Sequence, residues 1–512
     1  MKKKSNDCFG LDRWAGIYPE KKAVITEHAS ISYAGLWRES SLAARALGEN
    51  GIMPGDTVLI FLPNSIEYAV TFFAAVKLHL NILLANVLYK SSELGALIRT
   101  AQPKAAFVKG DREGALIQST APALSVICVP DFLKKLDGVT DAGTSDTTAT
   151  SGADSARICI STSGSTGTPK IVANSYENEG INASLYVDRM QVTDRDVLLT
   201  SLPAAQRFGL AALLGSCMKG ATLVMTDRFR AGNMLSLIDR YHVTVQYGVP
   251  TMFLKEMNEY DSMDNPRPNL SSLRTGVTAG AGCPEDIFRW FESTSGCRLL
   301  NCYGTSEIGG LTMAQYDDSE EIRHHTCGTA FPGASVKILD SGGVPLPPGS
   351  PGEIVCRVPW IMEGYLGDER MTAQMFDKDG EFLTGDIGML DEEGHLIFNV
   401  RKKDLIIRGG YNISPFELEQ ALTGLPDVLE ACVMGYEDSL LGERIVAFVR
   451  PADAGVDKDS LIDELSRHIA RYKLPDCILY MDRLPKLPNG KYDYPALKVL
   501  LSKENLGSKK TD

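Results

Sequence analysis

A ten-residue loop, STSGSTGTPK at 161–170, limits the fold of this chain more than any other stretch. Its glycines, Gly164 and Gly167, allow backbone conformations that other residues rarely adopt, so successive N–H groups can turn toward one anionic ligand. The preceding segment, RICIST at 157–162, has the pattern of a short strand, and residues 171–173 can pair back against it. We therefore expect a phosphate-binding loop between two strands.

The spacing of the loop separates it from the phosphate loop of P-loop NTPases, which needs Gly, four residues, Gly, and then Lys with Ser or Thr. Here Lys170 follows Pro169, which removes a backbone donor and pushes Thr168 out of helical geometry. A helix therefore does not begin at this point, and the NTPase interpretation fails. The residues expected to contact phosphate are Thr162, Ser163, Gly164, Ser165, Thr166, Gly167, Thr168 and Lys170.

Length and charge set the broad class of protein. With 512 residues the chain is too long for one compact core, so we expect two or more domains. The 52 Lys and Arg against 65 Asp and Glu give a formal net charge of -13, which argues against nucleic acid as a partner. The eleven cysteines lie singly, which predicts neither a disulfide framework nor a zinc site and favours the cytoplasm. The most apolar stretch, 66–89, is interrupted by polar residues, so we expect no membrane span.

Helix and strand signals alternate in the first part of the chain. Residues 33–49 have helical periodicity, 56–61 predict a strand, and 65–78 predict a second helix. Such alternation predicts a layered α/β fold. The last hundred residues predict a compact α+β domain. Its expected elements are a helix at 415–422, strands at 428–436 and 444–450, and an amphipathic stretch at 459–471.

Three further motifs follow the loop in order. They are NCYGTSEIGG at 301–310, which contains Glu307; FLTGDIGML at 382–390, which contains Asp386; and LPNGKYDY at 487–494. Together with the loop, this series resembles the adenylate-forming enzymes, namely acyl-CoA synthetases, the adenylation domains of peptide synthetases and firefly-type luciferases. The resemblance covers nearly the whole chain.

The resemblance implies a two-part architecture. A large N-terminal domain, residues 1–402, would consist of layered α/β subdomains with a small β subdomain, and residues 403–512 would form a small mobile α+β domain. Lys403 would be the hinge between them. Lys491, which an Asn-Gly turn presents, would enter the site on the small domain during the first step.

The resemblance also implies an activity. A carboxylic acid would react with ATP to give an acyl-adenylate and pyrophosphate, and a phosphopantetheine thiol, of CoA or of an acyl or peptidyl carrier protein, would take the acyl group. Glu307 would hold Mg²⁺, and the catalytic residues would be Lys491, Lys170, Glu307 and Thr305. The further residues that would contact nucleotide or pantetheine are Gly280, Ala281, Asn301, Tyr303, Ser306, Asp386, Arg401, Gly409 and Gly410.

The acid pocket departs from the pattern of the family. Gln206 stands where many relatives have a histidine, and Gly209 stands near the position of the aspartate that binds an amino group in peptide-synthetase domains. Activation of an α-amino acid is therefore not favoured, whereas an aryl or a short or medium acyl acid is. Small residues suggest some room, and Arg207 either contacts an oxygen of the acid or forms a salt bridge on the outside. The residues expected to line the pocket are Gln206, Arg207, Phe208, Gly309 and Gly310.

Several alternatives stay open. The GGYNI segment at 409–413 and the lack of a carrier domain favour CoA as acceptor. A standalone ligase that loads a carrier protein of a polyketide or nonribosomal peptide pathway is the first alternative. A non-catalytic relative that binds a nucleotide or an acid is a more distant one, and no sequence feature demands the oxidative chemistry of a luciferase.

Overall fold

The computed structural model describes residues 9–136, 156–162, 170–401, 405–408, 411–438, 441–453, 455–486 and 492–503. The chain divides into two compact units. Unit 1 comprises Met1–Ser335 and Cys356–Phe382, and unit 2 comprises Val336–Val355 and Leu383–Asp512. The predicted boundary between residues 402 and 403 stays a prediction. In the parts of the chain that the structure describes, no helix has both the length and the apolar character needed to cross a bilayer.

The elements follow one another in the order listed here by residue range. The strands up to residue 330 are β1 (Lys22–Ile25), β2 (Ser30–Ser32), β3 (Thr57–Phe61), β4 (Asn81–Leu84), β5 (Ala105–Val108), β6 (Ser125–Cys128), β7 (Arg157–Thr162), β8 (Lys170–Ser175), β9 (Val197–Thr200), β10 (Thr222–Met225), β11 (Val245–Gly248), β12 (Thr275–Ala279), β13 (Arg298–Thr305), β14 (Gly309–Met313) and β15 (Thr329–Ala330). The later strands are β16 (Ser335–Leu339), β17 (Gly352–Arg357), β18 (Gly364–Tyr365), β19 (Phe382–Leu390), β20 (Leu396–Arg401), β21 (Ile406–Arg408), β22 (Tyr411–Ile413), β23 (Val428–Asp438), β24 (Gly442–Pro451) and β25 (Cys477–Tyr480).

The helices lie between these strands. In the first 262 residues they are α1 (Leu11–Ile17), α2 (Tyr33–Glu49), α3 (Ile66–Lys77), α4 (Ser91–Ala101), α5 (Asp111–Thr120), α6 (Val129–Lys134), α7 (Tyr176–Arg189), α8 (Arg207–Lys219), α9 (Ala231–Tyr241) and α10 (Pro250–Ser262). The later helices are α11 (Glu285–Ser295), α12 (Glu320–His325), α13 (Glu369–Gln374), α14 (Pro415–Thr423), α15 (Lys458–Leu465) and α16 (Tyr494–Lys503).

Serine caps define the starts of the first long helices, as the sequence predicts. The hydroxyls of Ser32 and Ser65 cap α2 and α3, each accepting a hydrogen bond of 3.1 Å from the backbone N–H three residues on. The predicted helix at 33–49 is therefore confirmed, as are the strand at 56–61 and the helix at 65–78, each to within one residue. The apolar stretch 66–89 forms a buried helix and a buried strand.

A seven-stranded sheet of unit 1 contains the start of the phosphate loop. Its order among the described residues is β18-β8-β7-β4-β3-β5-β6, with β7, β4, β3, β5 and β6 parallel. The predicted pairing across the loop is confirmed, because β7 and β8 run antiparallel with Thr162 opposite Lys170. Consecutive buried apolar residues in these strands are typical of a parallel sheet covered on both faces.

A nine-stranded sheet forms the second layer of unit 1. Its order is β15-β14-β13-β12-β11-β9-β10-β1-β2, and the strands from β13 to β1 in that order are parallel. Helices α9, α10 and α11 pack on it through a buried apolar cluster that includes Phe253, Phe288 and Phe291. Because the parallel strands share one direction, their carboxyl ends meet at one edge of the sheet.

Unit 2 contains two smaller sheets. One has the order β16-β17-β19-β20, and the other has the order β22-β21-β24-β23 with β25 paired to β24. Strands β19 and β20 form a hairpin whose turn lies at Asp391–His395, where the Asp391 carboxylate accepts from two backbone N–H groups. Helices α14 and α15 pack on the second sheet around Ile413, Leu418 and Leu465.

The described cysteines are all free thiols. Of these ten residues, eight are buried, and the partly buried ones are Cys128 and Cys477. Burial raises the pKa of the Cys159 and Cys356 thiols to about 12. These side chains therefore behave as small apolar core residues rather than as nucleophiles.

Candidate functional site

Most of the predicted site residues of unit 1 lie at one edge of the nine-stranded sheet. Gln206 follows β9, Gly280 and Ala281 follow β12, and Thr305 and Glu307 lie at the end of β13. Open α/β sheets bind ligands outside the carboxyl ends of their parallel strands. The sheet thus brings together residues that are about a hundred positions apart in the sequence.

Glu307 lies in the tight turn between β13 and β14. Its backbone N–H donates to Thr305 Oγ1 at 3.3 Å, and its carbonyl oxygen accepts from the Met362 N–H at 2.9 Å. Its carboxylate Oε1 accepts a hydrogen bond of 2.7 Å from the Tyr365 hydroxyl. The side chain is only partly buried, so its second oxygen can serve another partner.

Lys170 also contacts Tyr365, but through the aromatic ring. Its Nζ atom is 5.1 Å from the centroid of the Tyr365 ring, within the range of a cation–π interaction. Burial, and then the charge of Glu307, raises the pKa of the Tyr365 phenol, so its hydroxyl stays protonated and remains a donor. Of the predicted phosphate loop, residues 163–169 lie outside the described residues.

Arg207, at the start of α8, is buried rather than on the outside. Its Nε atom lies 3.1 Å from the Glu179 carboxylate, Nη1 donates to the Ser306 carbonyl at 2.7 Å, and Nη2 donates to the Trp360 carbonyl at 3.4 Å. Both charged side chains are at most 5% exposed. The interpretation of Arg207 as an outer salt bridge is therefore wrong, and these contacts tie the turn at Ser306 to helix α7.

Two residues outside the predicted motifs hold the loop before α8 in place. The Asn64 side chain donates to the Leu202 carbonyl at 2.9 Å and accepts from the Ala204 N–H at 2.8 Å. The Tyr68 hydroxyl donates to the Ala204 carbonyl at 2.7 Å. Gln206, the N-cap residue of α8, is held at the edge of the sheet and is partly exposed. The available signal for Asn64 was a polar residue in the short loop between the buried strand β3 and helix α3.

Four aromatic side chains pack behind the β13–β14 hairpin, and we refer to them as the aromatic cluster. They are Tyr186, Phe208, Tyr247 and Phe331. The Phe208 ring centroid lies 5.7 Å from that of Tyr186 and 5.5 Å from that of Tyr247, and the Phe331 centroid lies 5.8 Å from Tyr186. Phe208 alone is partly exposed, so it forms the accessible face of the cluster.

The glycines expected near the acid pocket differ in the free space beside them. A Cβ atom on Gly309 would lie 2.1 Å from Asn182 Oδ1, and one on Gly310 would lie 2.7 Å from the Phe331 ring. Neighbouring side chains thus occupy the space on the Cβ side of Gly309 and Gly310, and the role of these residues as pocket lining stays a prediction. Gly280 is exposed, and a Cβ there would meet nothing closer than 3.9 Å.

Two residues predicted to contact the nucleotide are buried in β13. The Asn301 amide donates to the Thr326 carbonyl at 3.1 Å, and Tyr303 is 7% exposed. The Asn301 side chain therefore forms a buried hydrogen bond to the backbone within the nine-stranded sheet region of unit 1. Ala281, in contrast, is exposed beside Gly280, where a flat group can approach the backbone.

The remaining predicted residues belong to unit 2. Asp386 in β19 is 4% exposed and lies opposite Arg401 of β20 in the ladder. The Asp386 N–H donates to Thr384 Oγ1 at 3.1 Å. The ladder thus places the two residues on neighbouring strands, and their roles toward a nucleotide stay predictions. Four further predicted residues lie outside the described residues, namely Lys403, Gly409, Gly410 and Lys491.

The donor set of unit 1 is suited to a magnesium nucleotide. Hard cations such as Mg²⁺ prefer carboxylate oxygens, and Glu307 offers one that the Tyr365 hydrogen bond leaves available. Lys170 supplies a cation next to the Tyr365 ring. A phosphate chain with a bound divalent ion therefore fits the chemistry of these residues.

The chain belongs to the AMP-binding enzyme family. The model of the AMP-binding enzyme matches residues 11–366, and the model of the AMP-binding enzyme C-terminal domain matches residues 417–491. It is therefore an adenylate-forming enzyme that resembles acyl-CoA ligases, and the predicted membership is confirmed.

Several characterised relatives share about 30% of the sequence. The medium-chain fatty-acid–CoA ligase of Escherichia coli is 30% identical over 97% of this chain and 90% of its own length. The 3-[(3aS,4S,7aS)-7a-methyl-1,5-dioxo-octahydro-1H-inden-4-yl]propanoyl:CoA ligase of Mycobacterium tuberculosis is 31% identical over 96% of this chain and 98% of its own length. Component E of the Escherichia coli enterobactin synthase is 30% identical over 94% and 92%.

Solved structures confirm the predicted fold class. ATP-bound MatB from Rhodopseudomonas palustris matches with a TM-score of 0.86 at 27% identity, over 97% of this chain and 99% of that one. The o-succinylbenzoate CoA synthetase of Bacillus subtilis, in complex with ATP and magnesium, matches with a TM-score of 0.81 at 26% identity, over 95% and 98%. The fold is thus mixed α/β, with a large N-terminal and a small C-terminal domain.

Proposed function

We propose that this chain is an acid–CoA ligase for a compact carboxylic acid, either an aryl acid or a short acyl acid. The observation that supports the proposal best is the meeting of Lys170, Tyr365 and Glu307 beside the wall of the acid pocket. This arrangement offers a cation and a carboxylate next to the space where an acid and a phosphate chain would react. The names of the relatives point to the same reaction class.

The first step joins two anions. A carboxylate oxygen of the acid attacks the α-phosphorus of ATP, the bond from that phosphorus to the oxygen of the β-phosphate breaks, and pyrophosphate leaves. Lys170 and the loop amides would hold the β- and γ-phosphates, and Lys491 would bridge the carboxylate and the α-phosphate. A magnesium ion on Glu307 would neutralise part of the phosphate charge. No general base is needed, in keeping with the absence of a histidine at position 206.

The second step transfers the acyl group to sulfur. The thiolate of the pantetheine arm attacks the acyl carbon, the bond from that carbon to the phosphate oxygen of AMP breaks, and AMP leaves, while the thiol proton passes to solvent. Asp386 is a bidentate acceptor for ribose hydroxyls and Arg401 a planar donor, and both would keep the nucleotide in place.

The aromatic cluster supports a compact acid. Its rings occupy the space behind the β13–β14 hairpin, so a long acyl chain would have to displace Tyr186 and Phe331. An aryl acid, by contrast, can pack on the exposed face of Phe208. Gly209 supports the exclusion of α-amino acids, because a Cβ atom there would lie 2.2 Å from the Pro203 carbonyl oxygen. An aspartate side chain has no room at this position.

The acceptor is the second part of the proposal. Relatives named as CoA ligases favour CoA. The relative named as a component of the enterobactin synthase keeps a separate carrier protein as the alternative. The more distant alternative, a chain that binds a nucleotide or an acid without catalysis, is tested by the first step and not by the choice of acceptor.

Acid-dependent exchange of pyrophosphate into ATP tests the first step. We expect exchange with aryl and short acyl acids, a rate at least about 10-fold lower with long-chain fatty acids and α-amino acids, and its loss in Lys491→Ala by about 100-fold or more, since removing a group that stabilises developing charge costs this much. Exchange confined to long-chain or amino acids would contradict the assigned acid class. No exchange with any acid, together with measurable ATP binding, would contradict the proposed catalysis.

The acceptor is tested with the best acid of that panel. Thioester formation is followed by mass spectrometry with CoA in one sample and a phosphopantetheinylated carrier protein in another. We expect acyl-CoA to form faster than acyl carrier protein at equal thiol concentration. A faster reaction with the carrier protein would show that the carrier protein, and not CoA, is the acceptor. The assignment of the first step would not change.

A further inference from the structure

One buried tyrosine joins the two residues that the proposed reaction uses on the phosphate side. The Tyr365 hydroxyl donates to Glu307 Oε1 at 2.7 Å, and Lys170 Nζ lies 5.1 Å from the centroid of the same ring. Tyr365 is 6% exposed. A single side chain therefore contacts both a cation and a carboxylate at the edge of the site.

The backbone around Tyr365 fixes its position. Strand β18 pairs with β8, with Tyr365 opposite Val172, and the Tyr365 N–H donates to Thr372 Oγ1 at 2.8 Å. Three residues earlier, the Met362 N–H donates to the Glu307 carbonyl at 2.9 Å. The segment is thus attached to the strand of Lys170 on one side and to the turn of Glu307 on the other.

The contacts keep two opposite charges apart. Among the described residues no ion pair joins Lys170 to Glu307, although both contact Tyr365. A direct ion pair would use the cation that the phosphates need and the carboxylate that the metal needs. The Tyr365 hydroxyl donates to only one oxygen of the Glu307 carboxylate. The Tyr365 ring contacts the Lys170 ammonium group without neutralising its charge.

We propose that Tyr365 is a positioning residue for the magnesium nucleotide: its hydroxyl orients Glu307 so that the second oxygen can bind Mg²⁺, and its ring holds Lys170 away from that carboxylate. The proposal rests on the proposed function, because it takes Glu307 as the metal ligand and Lys170 as a phosphate ligand. It adds a residue that lies outside both motifs in the sequence.

The test separates the hydroxyl from the ring. Binding of a non-hydrolysable ATP analogue is measured by calorimetry with and without Mg²⁺. In Tyr365→Phe, the affinity without Mg²⁺ is expected to stay within about 2-fold of the wild type, while the gain on adding Mg²⁺ falls about 10-fold, as for other groups that orient a metal ligand. In Tyr365→Leu, the affinity without Mg²⁺ is expected to fall as well, because Lys170 is free to pair with Glu307.

Tyr33→Phe is the matched control. Tyr33 is 1% exposed, and its hydroxyl donates to the Ala221 carbonyl at 2.7 Å and to the Ser216 carbonyl at 3.4 Å, not to Glu307. This variant is expected to lose thermal stability as Tyr365→Phe does, but to keep the full gain on adding Mg²⁺. A folded Tyr365→Phe protein with an unchanged gain would overturn the role of Tyr365 alone. A wild-type protein whose affinity for the analogue does not depend on Mg²⁺ would overturn this role together with the assignment of Glu307.

Discussion

At the scale of single residues, the site depends on close contacts that glycine alone permits. Gly209 lies in the first turn of α8, where a Cβ atom would lie 2.2 Å from the Pro203 carbonyl oxygen. Gly309 and Gly310 permit a similar approach, since a Cβ atom on them would lie 2.1 Å from Asn182 Oδ1 and 2.7 Å from the Phe331 ring. These glycines allow helix α8 and the β13–β14 hairpin to pack closely against their neighbours.

Gly209→Ala is therefore expected to destabilise the protein. Because the backbone of a buried helix must move to accommodate the methyl group, we expect a loss of about 1–3 kcal/mol in the free energy of unfolding. The matched variant is Gly16→Ala in α1, where a Cβ atom meets nothing within 4 Å. There the change is expected to be neutral or stabilising by up to about 1 kcal/mol. Urea unfolding of both variants checks the prediction, and a Gly209→Ala protein as stable as the wild type would contradict it.

Residues within a recognisable motif could be predicted from the sequence. The residues that hold them in position through hydrogen bonds could not. Thr305 and Glu307 are predicted together because they are close in the chain, and the structure places them in one turn. Glu179 and Tyr365 contact site residues 28 and 58 positions away, through pairings that no local pattern encodes. An isolated Glu on a helix looks like any solvated residue until its partner Arg207 is known to be buried.

At the scale of elements, the boundary between β11 and α10 shows what local patterns miss. The apolar run at 241–253 predicts one strand, but the strand ends at Gly248 and Pro250 begins a helix, as proline does at a first helical position. The helix then buries Glu256 against Gln246 of β11, with contacts of 2.9 and 2.8 Å from the amide to the two carboxylate oxygens. Burial raises the pKa of Glu256 to about 8, and the Gln246 amide opposes that shift.

The stability of the protein should consequently fall as the pH rises. In the unfolded chain Glu256 loses its proton near the ordinary glutamate pKa of about 4.3. The folded state keeps the proton up to about pH 8. Between these values the unfolded state binds fewer protons, so this residue makes the free energy of unfolding decrease with pH. Above about pH 8 both states are ionised and its contribution no longer changes.

Glu256→Gln removes the titrating proton and keeps the size of the side chain. We expect the variant to lose part of the decrease in stability between about pH 5 and pH 8. The measurement is the urea midpoint at several pH values. Glu259→Gln, an exposed position of the same helix, is the control and should leave the slope unchanged. Equal slopes for wild type and Glu256→Gln would show that Glu256 does not titrate in this range.

At the scale of the whole molecule, the C-terminal residues have a core of their own. Two apolar clusters, one around Leu418 and Leu465 and the other around Phe448 and Leu497, draw all their buried residues from positions 406–497. The compact unit that contains them also includes Val336–Val355 and residues from Leu383 onward. The sequence motifs did not indicate this grouping, because they assign residues 336–355 and 383–402 to the N-terminal domain, whereas the compact unit joins both segments to the C-terminal residues.

A fragment of residues 403–512 is expected to fold alone, as the predicted boundary requires. All the buried members of its two apolar clusters lie within the fragment, so these clusters can form without residues 336–402. Dispersed amide signals in an NMR spectrum and a cooperative thermal transition would support the boundary. A fragment of residues 428–512, which lacks α14, should fail both measurements. Failure of the 403–512 fragment would move the boundary toward residue 383.

The buried thiols give the folded protein a set of built-in reporters. Eight of the described cysteines lie in the interior, from Cys159 to Cys432, and their protonated, shielded sulfur atoms resist alkylation. Each would react only when its own neighbourhood opens, so timed labelling followed by peptide mass spectrometry would measure local opening at eight positions in one experiment. No probe would have to be introduced, and ligand-dependent tightening around the site would register at Cys302, which lies one residue before Tyr303.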